Sequence, residues 1–211
     1  MTAARDDDFM ALPGMEADST DTRHGRERLS DEAAPTSSNT SPNASSKSAL
    51  EALLDEYRAR AKSEREKGTL FEELTRQFLL HDARFAHQFK EIYLWSEWPE
   101  RRTGDTGIDL VAIPVDENAG PVAIQCKFYA LGHRIQKADI DSFLSASGKE
   151  PFGRRIVVDT SGAPWGKNAQ DAIEGQQIPV SRITLADLRD SDIDWRTYSL
   201  GSTQAPKTRE R

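Results

Sequence analysis

Cysteine is almost missing from this sequence: Cys126 is the single one in 211 residues. No intramolecular disulfide can form, and no zinc site built from four cysteines. This usage fits a reducing, cytoplasmic setting. Long apolar runs are missing as well. No stretch reaches the roughly 18 apolar residues that a membrane-spanning helix needs, so no membrane partner is expected. The opening residues, MTAARDDDFMALPG, carry acids where a secretory signal would carry bases ahead of an apolar core. Nor is there an excess of positive charge. The formal net charge is −7, with 14 acids and 9 bases in residues 1–66 and 21 acids and 19 bases in residues 67–211. Non-specific binders of nucleic acid are usually basic. Any contact of this chain with nucleic acid must therefore be a local patch, or lean on another domain.

What is present falls into a tail and a core. Residues 1–47 are expected to be disordered, because the stretch DEAAPTSSNTSPNASSKS at 31–48 has almost nothing to bury. Leu50, Leu53, Leu54, Tyr57 and Ala61 recur at helical spacing and predict an N-terminal helix over 48–66. Gly68 is expected to break it. Thr69 then starts a second helix, with Glu72 as the reciprocal partner of a capping box. Leu70, Phe71, Leu74 and Phe78 form its apolar stripe. Glu72 and Glu73 flank that stripe on opposite sides, and periodicity does not say which faces inward.

Beyond it, a short strand or turn is expected near Ile92–Trp95. Strands follow at 108–115 and 121–129, joined as a hairpin. Helices at 138–147 and 167–174 alternate with strands at 154–160 and 178–184, and a turn of helix closes at 185–190. The order predicts an α/β fold: a mixed β-sheet with helices on both faces, its core within 67–198 and a disordered tail at 199–211.

One strand carries an oddity. In GPVAIQCKFYA (120–130), Gln125 and Lys127 sit two apart and share a face. Lysine is rarely buried without a partner. Asp109 lies at the start of the preceding strand, and Glu72 or Glu73 can reach the same end from the helix. Two carboxylates, an amide oxygen and a lysine would suit Mg²⁺ and a phosphodiester. Each feature alone has a plainer reading. The lysine could be an edge residue, TGDTGID only a turn with Asp105 as its Asx residue, and LFEE only a cap. Trp95, Trp98 and Trp165 are expected to pack in the core or an interface rather than to stack on bases.

The order of these motifs is more telling. GTLFEELTRQFL, GDTGIDLVA and AIQCKFY resemble the Mrr-like branch of the restriction-endonuclease-like nucleases, and RRIVVDTSGAPWGKNAQDAI and PVSRITLADL continue the likeness over about 67–190. WSEWPERR, IDSFLSASGK and IDW resemble more particularly the nuclease domain joined to helicase motors in type ISP restriction-modification enzymes. The resemblance implies a restriction-endonuclease-like fold and a Mg²⁺-dependent DNA endonuclease, with Mn²⁺ as a substitute. It makes Asp109 the metal-binding Asp, Lys127 the catalytic Lys, Gln125 the occupant of a position where many relatives have Glu, and Glu72 the helix Glu that helps hold metal or water. Asp105 is a turn-former first. It further implies DNA as partner and a helicase or translocase motor, with a homodimer as one route to a double-strand break. No G-x-x-x-x-G-K-[ST] loop is present, so the chain is read as the nuclease part alone. The rival readings are a catalytically silent module of the same fold that binds DNA or docks a motor, and an RNA nuclease.

Overall fold

The computed structural model describes residues 48–101, 104, 107–199 and 205–208. The expected tail at 1–47, Asp105 and most of the expected C-terminal tail lie outside them. Helix α1 spans Ala49–Arg60 and α2 spans Glu64–His81. A capping box starts α1: the Ser48 hydroxyl accepts from the Glu51 amide at 3.2 Å, and the Glu51 carboxylate accepts from the Ser48 amide at 2.9 Å.

The second helix begins earlier than expected. Ser63, not Thr69, caps it, its hydroxyl accepting from the Glu66 amide at 3.1 Å. The break falls at residues 61–63, and Gly68 sits inside the helix. An interior glycine costs only about 1 kcal/mol. The apolar stripe outweighs that, since each fully buried large side chain contributes about 1.5–3 kcal/mol. Phe71, Leu74 and Phe78 are all completely buried.

Five strands form one mixed sheet in the order β1-β2-β3-β4-β5. They are β1 (Phe89–Leu94), β2 (Leu110–Pro114), β3 (Val122–Lys127), β4 (Arg154–Asp159) and β5 (Val180–Ile183). The β1–β2 and β2–β3 pairs are antiparallel, and β3–β4 and β4–β5 are parallel. The hairpin and the alternation after it were thus readable from the turn residues. The strand carrying Gln125 and Lys127 is the central one, not an edge.

Helices α3 (Lys137–Ser147), α4 (Lys167–Ile173) and α5 (Leu185–Arg189) complete the fold. Alternate residues of β3 separate two cores. Val122 and Ile124 join α1, α2, Leu185, Leu188 and Trp195 in the first. Ala123 joins Ile140 and Phe143 of α3, Ala169 of α4 and Trp165 in the second. Trp98 also lies in this second core and Trp95, partly buried, packs against it, so all three tryptophans pack as expected.

Helix α1 is tied to the strand end by Arg58. Its Nη2 donates to the Tyr129 carbonyl at 3.2 Å, and its guanidinium lies 4.5 Å from the Phe128 ring centre. Phe128 in turn stacks on Phe71 at 5.1 Å.

The end of β4 holds a buried ion pair. Asp159 is fully buried, and Arg182 of β5 donates to it through Nε at 2.6 Å and Nη2 at 3.0 Å. The Ser161 amide and hydroxyl and the Trp165 indole also donate to this carboxylate. Removing one partner of such a pair strands a buried charge, at a cost of about 3–5 kcal/mol. Arg182→Leu is expected to lose stability on that scale in urea denaturation.

Candidate active site

The site begins with a loop that only glycine can make. Gly107 has φ +76°, and a Cβ there would meet the Ser142 hydroxyl at 2.7 Å and the Phe143 amide nitrogen at 3.1 Å. The loop is therefore pressed against α3. Its Gly107 carbonyl accepts from the Gln125 side-chain amide at 3.0 Å, and the Trp95 indole donates to the Gly104 carbonyl at 2.8 Å.

Asp109 follows and is held on two sides. Its amide donates to the Ile124 carbonyl at 2.9 Å, and its carbonyl accepts from the Trp95 amide at 2.7 Å. Its carboxylate accepts from the Cys126 amide at 2.6 Å. That fixes the carboxylate against β3, beside the residue that separates Gln125 from Lys127. The ladder of β2 and β3 ends at the Leu110–Ile124 pair, one step before.

Asp109 and Glu72 line one cleft of about 670 Å³. Thr69, Trp95, Arg65 and Arg101 also line it. Glu73 is engaged elsewhere, 2.8 Å from Arg76. The structure thus settles what helical periodicity left open: Glu72 faces the cleft. Gln125 and Lys127 are on the adjoining strand and are not part of the cleft wall. Gln125 is buried, and its Oε1 is a buried acceptor with no hydrogen-bond partner among the described residues. Such orphans are rare in folded proteins and point to an absent partner.

Lys127, half-buried at the end of β3, makes no ion pair among the described residues. Its neighbour across the parallel ladder is Asp159. That carboxylate is already saturated by Arg182, Ser161 and Trp165. The nearest strand neighbour therefore does not neutralise the ammonium.

Cys126 lies on the opposite face and packs against the first core. Burial pushes its thiol well above the ordinary value, and the charge of Asp109 adds to the rise. Glu72 raises it further, and Lys127 acts against them. A thiol held neutral in this way is a packing group.

The donor set suits a hard divalent cation. Among the described residues no three His, Cys, Asp or Glu side chains converge as a ready-made metal cage. Two carboxylates and an unpartnered amide oxygen are nonetheless oxygen donors of the kind Mg²⁺ takes alongside several waters. Arg65 and Arg101 were not singled out from the sequence as site residues, and Trp95 was expected only to pack. Arg65 lies in a charged helical run without distinguishing spacing, and only the packing of α2 beside the Gly104 loop reveals its place.

Comparison with known proteins follows the same line. A family model described as restriction endonuclease, of the Mrr catalytic type, matches residues 80–205. A solved structure of the ATP-dependent type ISP restriction-modification enzyme LlaBIII bound to DNA is 30% identical, with a TM-score of 0.61, over 74% of this chain. The match takes in 10% of that enzyme, so the chain spans about a tenth of its length. The MspJI restriction endonuclease in complex with an oligonucleotide is 20% identical over 78% of this chain and 35% of its own, with a TM-score of 0.44. No curated protein matches the chain. From the match over most of the folded part, the chain belongs to the Mrr-like restriction endonucleases and carries their mixed-sheet nuclease domain.

Proposed function

We propose that this domain is a divalent-metal-dependent endodeoxyribonuclease that cleaves DNA phosphodiester bonds, with Mg²⁺ as its ion and Mn²⁺ as a substitute. The observation that carries the reading is the Cys126–Asp109 hydrogen bond. It sets a carboxylate against β3 between Gln125 and Lys127, and the same carboxylate shares a cleft with Glu72. Asp109, Glu72 and the Gln125 amide oxygen would hold the ion. The ion supplies Lewis-acid neutralisation of phosphoryl charge and a more acidic bound water. Lys127 presents an unneutralised ammonium to the scissile phosphate, where it orients the attacking water and steadies the developing negative charge.

The type ISP enzyme that this chain resembles is ATP-dependent and far longer. We read the present domain as the cutting part of such a restriction or phage-defence system, working with a helicase or translocase motor. A second copy of the domain would supply the other cut of a double-strand break. The silent-module reading draws on the absence of a three-ligand cage among the described residues. Metal binding that depends on Asp109 separates the two.

Wild type is expected to nick or linearise supercoiled plasmid at low salt with Mg²⁺ or Mn²⁺. Asp109→Ala and Lys127→Ala should each abolish cleavage with circular dichroism unchanged. Full activity in either variant would sink the assignment. A second variant tests Gln125. Gln125→Glu replaces the donor to the Gly107 carbonyl with a buried negative charge. Without metal it should melt below wild type. Added Mg²⁺ should raise its melting temperature more than it raises that of wild type, because the ion then meets one more carboxylate. Equal shifts would remove Gln125 from the ligand set.

A further inference from the structure

The chain is acidic, and among the described residues many of its basic side chains are matched where they stand. Arg58 meets Asp55 at 3.0 Å, Arg60 meets Glu56 at 2.7 Å and Lys67 meets Glu64 at 2.5 Å. Such pairs project little net positive field, and what remains is screened within about 8 Å at physiological salt. Two arginines at the cleft depart from this pattern. Arg65, in the first turn of α2, and Arg101, just before the Gly104 loop, are both exposed and line the same cleft as Glu72 and Asp109. Neither guanidinium has an ion pair or hydrogen bond with the described residues.

Their backbones are fixed. The Arg101 amide donates to the carbonyl of buried Trp98 at 3.1 Å, and Trp98 packs on Phe152 at 5.6 Å. Arg65 sits in a helix whose Ser63 cap is intact. Each guanidinium offers a planar fork of donors that matches a phosphate bidentately. Two exposed cations lining the cleft that holds Glu72 and Asp109 draw a polyanion toward it.

We propose that Arg65 and Arg101 are the DNA-backbone contacts of this domain. They grip phosphates beside the scissile one and form the local basic patch that an acidic chain needs. The proposal rests on the nuclease reading and deepens it. Arg65 also lies outside residues 80–205, where the family model matches.

The test uses the full 211-residue chain and a fluorescein-labelled DNA duplex. Binding is followed by anisotropy across a KCl series, with Ca²⁺ as the divalent ion. Each phosphate contact contributes about 0.9 to the slope of log K against log salt. The double variant Arg65→Gln/Arg101→Gln is expected to reduce that slope by roughly 1–2 and to weaken binding at every salt concentration. Arg65→Lys/Arg101→Lys keeps the charges and should keep most of the slope. Lys149→Gln is the control for net charge. Lys149 is an exposed cation in the turn between α3 and β4, without an ion pair among the described residues and at the other end of the sheet, and its loss should leave the slope unchanged. If wild type binds and the glutamine pair binds with the same slope and affinity, the arginine assignment is overturned and the nuclease site still stands. If wild type shows no affinity for the duplex, both readings fall.

Discussion

The hydrogen bond from the Cys126 amide to the Asp109 carboxylate joins the site to the fold. On β3, Ile124 and Cys126 turn their backbone groups toward β2. The Ile124 carbonyl is taken by the Asp109 amide, but the next donor, the Cys126 amide, is taken by a side chain. The ladder therefore ends without leaving an unpaired amide, which would be costly in a central strand. The chain before Asp109 is released from the sheet and turns away through Gly107. The carboxylate is thereby aimed by the sheet itself rather than by a flexible side chain reaching from a loop.

A second constraint lies one strand over. Lys127 and Asp159 are neighbours across the β3–β4 ladder, and a lysine with a free aspartate beside it would make a closed ion pair. Arg182 prevents this by occupying both carboxylate oxygens, with Ser161 and Trp165 as further donors. The buried pair has a cost in desolvation, and its result is that Lys127 has no ion pair among the described residues at the end of the central strand. Two kinds of charge sit side by side: one pair fully satisfied, and one cation without such a partner.

Much of this was legible in the sequence because the signals were local. Strand alternation placed Gln125 and Lys127 on one face, and the turn residues gave the hairpin that sets Asp109 beside them. The helix boundary was not legible. Gly68 and Thr69 read as a stop and a start, whereas Ser63 capped first and the stripe through Phe71, Leu74 and Phe78 carried the helix across the glycine. The choice between Glu72 and Glu73 depended on Arg76, which reaches Glu73 and also Glu97 far along the chain. The Asp159–Arg182 pair and the two cleft arginines depend on contacts between separated elements, for which a single sequence carries no period and no motif.

The Arg58 contact bears on what counts as one unit of this protein. The family likeness begins at residue 80, yet α1 and most of α2 lie before it. Those helices supply Leu50, Leu54, Phe71 and Leu74 to the first core, Glu72 to the cleft, and the guanidinium that holds the Tyr129 carbonyl just past Lys127. A gene fusion or recombination that exchanged only the recognisable nuclease segment would leave eight buried side chains of the first core and one cleft carboxylate behind. The folded unit is larger than the matched segment: α1 and α2 complete the first core and one side of the cleft.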